Sequence, residues 1–198
     1  MNDFVKQCCN KKYKALFLDR DGVINKDFGH VGSIDRFEII PEIFTLTKLA
    51  QSLNYLIIVI TNQAGIAKGY YTIDEFIELT LYKIQIFKKQ GINNIKTYFC
   101  PYHKQAICNN YIINEELQKE KFPSKQEIIV RENIYLSQYR KPNPCMILQA
   151  SLRFNIDLQS SIFIGDKITD IEASSAAGIK KTYMCNSIND FNFLKLLN

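Results

Sequence analysis

The chain has 198 residues, 46% hydrophobic and 23% charged, with 25 basic against 20 acidic residues for a formal net charge of +5. A single domain of that length buries an adequate core without metal or disulfide staples. The mild positive balance suits a small anionic substrate or a lysine-rich surface equally, and without a basic cluster carrying interleaved aromatics it does not imply nucleic acid.

Residues 1–14 contain no apolar core of signal-peptide length, and no stretch approaches a membrane span. Cys8, Cys9, Cys100, Cys108, Cys145 and Cys185 follow no disulfide-framework spacing, so they read as reduced thiols of a cytoplasmic protein. A monomer is expected.

Along the chain, continuous apolar runs at 15–18, 55–60, 95–99, 161–164 and 180–184 predict strands. They lack the alternation of half-exposed strands, which suits a parallel sheet covered on both faces. Helical patterns alternate with them. The first covers 41–52, opening on Pro41 with Glu42 beside the positive helix end. The second covers 72–90, opening on a Thr72-Ile73-Asp74-Glu75 capping box and ending at Gly91. Others cover 143–154, 170–177 (stopping at Gly178) and 189–197. This order predicts an α/β fold, a three-layer, doubly wound, Rossmann-like sheet. The whole of 1–198 is expected to be one domain, with 104–139 as a long loop or flap in which only 115–121 has a helical pattern. Those 36 residues are too few for a separate cap domain.

Four segments carry chemistry. Asp19-Arg20-Asp21-Gly22 closes the first strand. An EF-hand fails here because Val23 stands where a third oxygen ligand is needed. An Asx turn fits the segment, and so does a division of labour in which Asp19 attacks phosphorus and Asp21 moves the proton. Thr61-Asn62-Gln63 followed by Gly65 gathers a hydroxyl, amides and N–H donors after the second strand, suited to phosphoryl oxygens or to an ordinary polar turn. Arg140-Lys141-Pro142 precedes a helix. Lys141 suits a phosphate as a point charge and Arg140 a second anion through its fork, although an isolated pair of this kind also reads as a solvated surface. Gly165-Asp166-Lys167 offers Asp166 as a metal ligand, with Asp170 one turn away to orient it. Several carboxylates at the carboxyl ends of two strands call for a divalent cation such as Mg²⁺, with room left for a phosphate.

The order Asp19, Thr61, Lys141, Asp166 resembles the haloacid dehalogenase-like (HAD-like) phosphohydrolases, over about residues 14–185. More closely, Asp19 to Asn25, Gly29-His30-Val31, the Thr61 to Gly69 run, Cys100-Pro101, Arg140-Lys141-Pro142 and Gly165-Asp166-Lys167 resemble the D,D-heptose 1,7-bisphosphate phosphatases. The histidinol-phosphate phosphatases are near relatives of that family. The resemblance implies strand order 5-4-1-2-3, Asp19 as nucleophile, Asp21 as acid and base, and Mg²⁺ on Asp19, the Asp21 carbonyl and Asp166. It implies Thr61 and Lys141 on the transferring phosphoryl group. Arg140 and Lys167 would recognise substrate, with Arg20, Asn62 and Gln63 also on the substrate side and the Asp27–His30 loop shaping the sugar pocket.

The expected partner is a small phosphorylated sugar, with neither nucleic acid nor membrane. Histidinol phosphate, a phosphorylated nucleic-acid end and a catalytically inactive binding module are the competing readings. One departure stands out. The family's zinc loop, Cys-x-His followed by Cys-x-Cys before the Arg-Lys pair, is broken: Cys100 is followed by Pro101, Tyr102 and His103, and Ser137-Gln138-Tyr139 precedes Arg140. Cys100, His103 and Cys108 supply three ligands where a structural zinc takes four, so no zinc is expected.

Overall fold

The four inner apolar runs become strands because both of their faces are covered. In the computed structural model, which describes residues 12–103, 128–129, 136–186 and 193–197, β1 (Lys14–Leu18), β2 (Tyr55–Asn62), β3 (Ile95–Cys100), β5 (Ile162–Gly165) and β6 (Lys181–Met184) form a parallel sheet with a short β4 (Ile128–Ile129). The order is β4-β3-β2-β1-β5-β6. Read from the other edge, the five expected strands keep the order the resemblance implied. β4 is an addition, lying within the expected 104–139 flap and pairing with Thr97 and Tyr98 of β3. Positions 104–127 and 130–135, including the expected helix at 115–121, lie outside the described residues, as do Cys8, Cys9 and Cys108.

Successive strand residues face opposite helix layers. Leu16, Leu18, Ile57, Val59, Ile162 and Ile164 pack with α1 (Glu42–Ser52), α3 (Ile73–Lys89) and α7 (Phe193–Leu197). Ala15, Phe17, Ile58, Ile60 and Phe163 pack with α5 (Cys145–Phe154) and α6 (Ile168–Ala177). Fully buried Phe87 of α3 is worth roughly 3–5 kcal/mol against alanine. The Thr72–Glu75 capping box forms as expected; an N-cap of this kind contributes about 1 kcal/mol. Two short helices, α2 (Ala64–Ala67) and α4 (Leu136–Tyr139), carry no sequence pattern long enough to announce them. The last helix is described only over Phe193–Leu197. No helix among the described residues is long and apolar enough to cross a membrane.

Register sets the site. Leu18 stands opposite Val59 of β2 and Ile164 of β5, so the residues that follow the three strands emerge side by side. The Asp19 N–H donates to Ile164 O at 2.9 Å, tying the end of β1 to β5.

Candidate active site

Asp19 leaves β1 almost completely buried, 5% exposed. Lys141, from the turn before α5, reaches it from across the sheet. Its Nζ lies 2.9 Å from Asp19 Oδ1 and 2.5 Å from Asp170 Oδ1, and donates to Ile60 O at 2.9 Å. The turn is clamped by Asn62. The Lys141 N–H donates to Asn62 Oδ1 at 3.0 Å while Asn62 Nδ2 donates to Lys141 O at 3.1 Å.

Asp166 follows β5, and Asp170 stands in the first turn of α6, accepting the Lys167 N–H at 3.0 Å. Carboxylate oxygens of Asp19, Asp166 and Asp170 lie within 4.8 Å of one another. Asp170 therefore joins the cluster directly, where the sequence suggested support from a turn away. Gly22 makes the approach possible: its φ is +88°, and a Cβ there would overlap the Asp166 carboxylate.

The electrostatics follow from three crowded acids, two of which, Asp19 and Asp170, share the Lys141 ammonium. Burial raises the Asp19 carboxyl, outweighing the pull of Lys141 in the other direction. Burial, with Asp19 and Asp170 adding repulsion, lifts Asp166 to about 7. Burial pulls Lys141 down, but the two carboxylates beside it more than reverse this and hold it protonated. Asp166 Oδ1 is buried with no hydrogen-bond partner. A cluster with surplus negative charge and a spare oxygen suits a hard divalent cation, which takes oxygen ligands and leaves positions for water or phosphate.

Asp21 points into a different network. Its carboxylate receives Arg20 Nη2 at 2.8 Å, Asn25 Nδ2 at 2.9 Å and Gln63 Nε2 at 3.1 Å. Three residues expected on the substrate side make contacts within the protein. Arg20 is 1% exposed, donates to Val31 O and lies over the Phe76 ring at 5.2 Å. Gln63, also 1% exposed, bridges Asp21 and Thr61 Oγ1, the latter at 2.8 Å. Asn62 holds the lysine turn.

The outer residues form a rim. Lys167 Nζ pairs with Asp27 Oδ2 at 3.0 Å and lies 3.9 Å from Asp166 Oδ2. Asp27 also accepts the Gly29 N–H, and these contacts outweigh its partial burial to hold its carboxyl low. His30 Nε2 lies 3.5 Å from Lys68 Nζ, and its ring is 4.8 Å from that of Tyr70. Partial burial and Lys68 lower the imidazole. Lys68 lies within the Thr61 to Gly69 run and Tyr70 just after it, but neither is singled out by its residue type. Arg140 is half-buried, with Nη1 donating to Tyr102 O at 3.1 Å. Cys100 is fully buried and His103 half-buried. Cys108, the third residue of that ligand set, lies outside the described residues.

A buried aspartate after β1, a threonine at the end of β2, a lysine before a helix and an acidic pair after β5, on this sheet order, define the class of HAD-like phosphohydrolases. A family model described as HAD-hydrolase-like matches residues 138–185. The D-glycero-alpha-D-manno-heptose-1,7-bisphosphate 7-phosphatase of Burkholderia mallei is 40% identical over 173 residues, 87% of this chain and 80% of that protein. The D-glycero-beta-D-manno-heptose-1,7-bisphosphate 7-phosphatase of Helicobacter pylori is 38% identical over 172 residues, 86% of this chain and 83% of that one. The crystal structure of D,D-heptose 1,7-bisphosphate phosphatase from B. bronchiseptica, complexed with magnesium and phosphate, shares the fold with a TM-score of 0.65 at 20% identity, covering 88% of this chain and 93% of that one. The chain belongs to the heptose-1,7-bisphosphate 7-phosphatase family of HAD-like phosphatases.

Proposed function

We propose that this chain removes the 7-phosphate of a D-glycero-D-manno-heptose 1,7-bisphosphate through an aspartyl phosphate on Asp19. The observation that carries the reading is the buried Asp19–Lys141 pair at 2.9 Å, set beside the acidic cluster and next to Asp21. The choice of sugar rests on the names of relatives at 38–40% identity.

Asp19 attacks phosphorus in line. A bond forms between its carboxylate oxygen and phosphorus while the bond to the sugar oxygen breaks, and Asp21 gives that oxygen its proton. A water then attacks the phosphorus, loses a proton to Asp21, and releases inorganic phosphate and the Asp19 carboxylate. Lys141 holds Asp19 in place and offers positive charge to the phosphoryl oxygens, and Thr61 adds a hydroxyl. Mg²⁺ held by the Asp19 and Asp166 carboxylates and the Asp21 carbonyl would neutralise the cluster and polarise the phosphoryl group. Asp170 fixes Lys141 and the start of α6.

At the rim, Lys167, Asp27 and His30 face the sugar side, and Arg140 takes the remote phosphate through the part of its fork not donating to Tyr102. The reading includes no zinc, because Ser137-Gln138-Tyr139 replaces the Cys-x-Cys half of that site. A monomer with a single phosphatase domain is part of the same reading. A reducing, cytoplasmic setting belongs to the same reading, since the six cysteines follow no disulfide-framework spacing.

Phosphate release is to be measured with Mg²⁺ or with a chelator on heptose 1,7-bisphosphate, histidinol phosphate and a 3′-phosphorylated oligonucleotide. The heptose should win in kcat/KM by at least about tenfold, or 1.4 kcal/mol. A preference for histidinol phosphate would overturn the substrate, and loss of all Mg²⁺-dependent turnover would overturn the reaction.

A further inference from the structure

Tyr71 belongs to none of the motifs, yet it ends a buried chain of hydrogen bonds that leads to Asp21. Its O–H donates to Gln63 Oε1 at 2.6 Å. Gln63 Nε2 then donates to Asp21 Oδ2 at 3.1 Å and to Thr61 Oγ1 at 2.8 Å. A carboxamide has an acceptor end and a donor end, so fixing one fixes the other. Here the oxygen is fixed by the phenol, and both amide N–H donors are spent on Asp21 and Thr61. Gln63 is 1% and Tyr71 8% exposed, so water does not readily replace either contact.

The slot for Tyr71 is built into the chain. A Cβ at Gly32 or at Gly65 would overlap its ring, so two glycines from separate segments leave the space it fills. Burial pushes its phenol up to about 12, which keeps the hydroxyl a donor throughout any working pH. On the other side of Asp21, Arg20 holds both carboxylate oxygens. The carboxylate is thus gripped from two directions, by Arg20 from its own loop and by the Tyr71–Gln63 pair from the β2–α3 connection.

We propose that Tyr71 is a positioning residue for proton transfer, aiming Asp21 and Thr61 by fixing the orientation of the Gln63 amide. The proposal rests on Asp21 acting as the acid in the reaction above. Without the phenol, Gln63 Oε1 is left buried without its partner, and the rotated amide that would relieve it sets an oxygen against the Asp21 carboxylate. Either result displaces Asp21 from the leaving oxygen, and proton transfer is steep in geometry.

The test compares an alkyl phosphate, whose leaving oxygen needs a proton, with p-nitrophenyl phosphate, whose leaving group needs little. kcat/KM is measured for wild type, Tyr71→Phe, Gln63→Met, the double variant and Asp21→Asn, with thermal unfolding of each to report folding separately. Tyr71→Phe should lower the alkyl value about tenfold and the aryl value less than about threefold. It should add less than about twofold in the Gln63→Met background, because the two residues act on one path. Equal losses on both substrates, or full additivity, would overturn the proposal. If Asp21→Asn itself shows no leaving-group bias, the acid assignment falls. If Asp21→Asn is biased and Tyr71→Phe is not, only the role of Tyr71 falls.

Discussion

Replacing Lys141 with methionine keeps the length and apolar stem of the side chain but removes the one ammonium inside the acidic cluster. In the folded protein that ammonium stands 2.9 Å from Asp19 and 2.5 Å from Asp170. With an effective dielectric of about 20, each contact is a gross attraction of roughly 6 kcal/mol, offset by the cost of drying a lysine. Removing one partner from a buried ion pair has a net cost of about 3–5 kcal/mol, since the other charges remain buried. For a chain of this size that lowers the unfolding midpoint by roughly 6–20 °C. The deficit should depend on pH. Asp19 and Asp166 are raised above the unfolded carboxylate range, so the folded state keeps protons that the unfolded state has released. Their contribution is present at low pH and is lost as pH rises through the folded values. Losing Lys141 removes the largest pull that holds Asp19 down, so Lys141→Met should be hurt more at pH 8 than at pH 5, and Mg²⁺ should restore part of the loss. Thermal and urea unfolding at both pH values, with and without Mg²⁺, supply the comparison. A deficit below about 1 kcal/mol at pH 8 without divalent cation, or one identical at both pH values, would refute the electrostatic reasoning.

Three further outcomes are expected. Arg140→Ala should weaken a bisphosphate more than a monophosphate by about 1–3 kcal/mol, read as the ratio of their kcat/KM values; an unchanged ratio would make Arg140 a general electrostatic residue. Mg²⁺ at about a hundred times its Kd should raise stability by roughly 2.7 kcal/mol, and Asp166→Asn should remove most of that shift; a shift that survives would move the metal elsewhere. Lys83 is fully buried, donates to Thr97 Oγ1 at 2.8 Å, and is lowered by burial and then Arg20 to about 7. Its folded value lies below its unfolded one, so stability should rise with pH between about 7 and 10 in wild type and rise less in Lys83→Met; parallel curves would show that Lys83 is not the cause.

The fold was legible wherever a strand is covered on both faces, because runs such as Leu56 to Ile60 have no polar side to hide. Helix limits were legible where a side chain makes the cap, as at Thr72 and Glu75. The edge strand β4, only Ile128–Ile129, is too short to leave a pattern. That Asp19, Lys141 and Asp166 would meet was legible because those residue types after strands and before a helix have few uses together. The bonds made by the polar residues around them were not legible, for one reason. Residue type tells what Arg20, Asn62 and Gln63 can bond to, but not whether a ligand or a neighbouring segment supplies the partner. Register supplies that answer, since β1, β2 and β5 end together and fill the space between Asp21, Thr61 and the Lys141 turn with one another's side chains. Tyr71 was invisible because its role depends on Gly32 and Gly65 meeting across its ring.

The central claim is a covalent phosphate on Asp19. Wild type and Asp19→Asn are to be mixed with radiolabelled substrate and Mg²⁺, quenched in acid during turnover, reduced with borohydride and digested, so that a phosphorylated aspartate is converted to homoserine and located by peptide mass. The account expects acid-stable label in wild type, homoserine at position 19 after reduction, and neither label nor turnover in Asp19→Asn, whose unfolding should still be cooperative. Homoserine at Asp21 or Asp166, or Mg²⁺-dependent turnover that survives in Asp19→Asn, would contradict it.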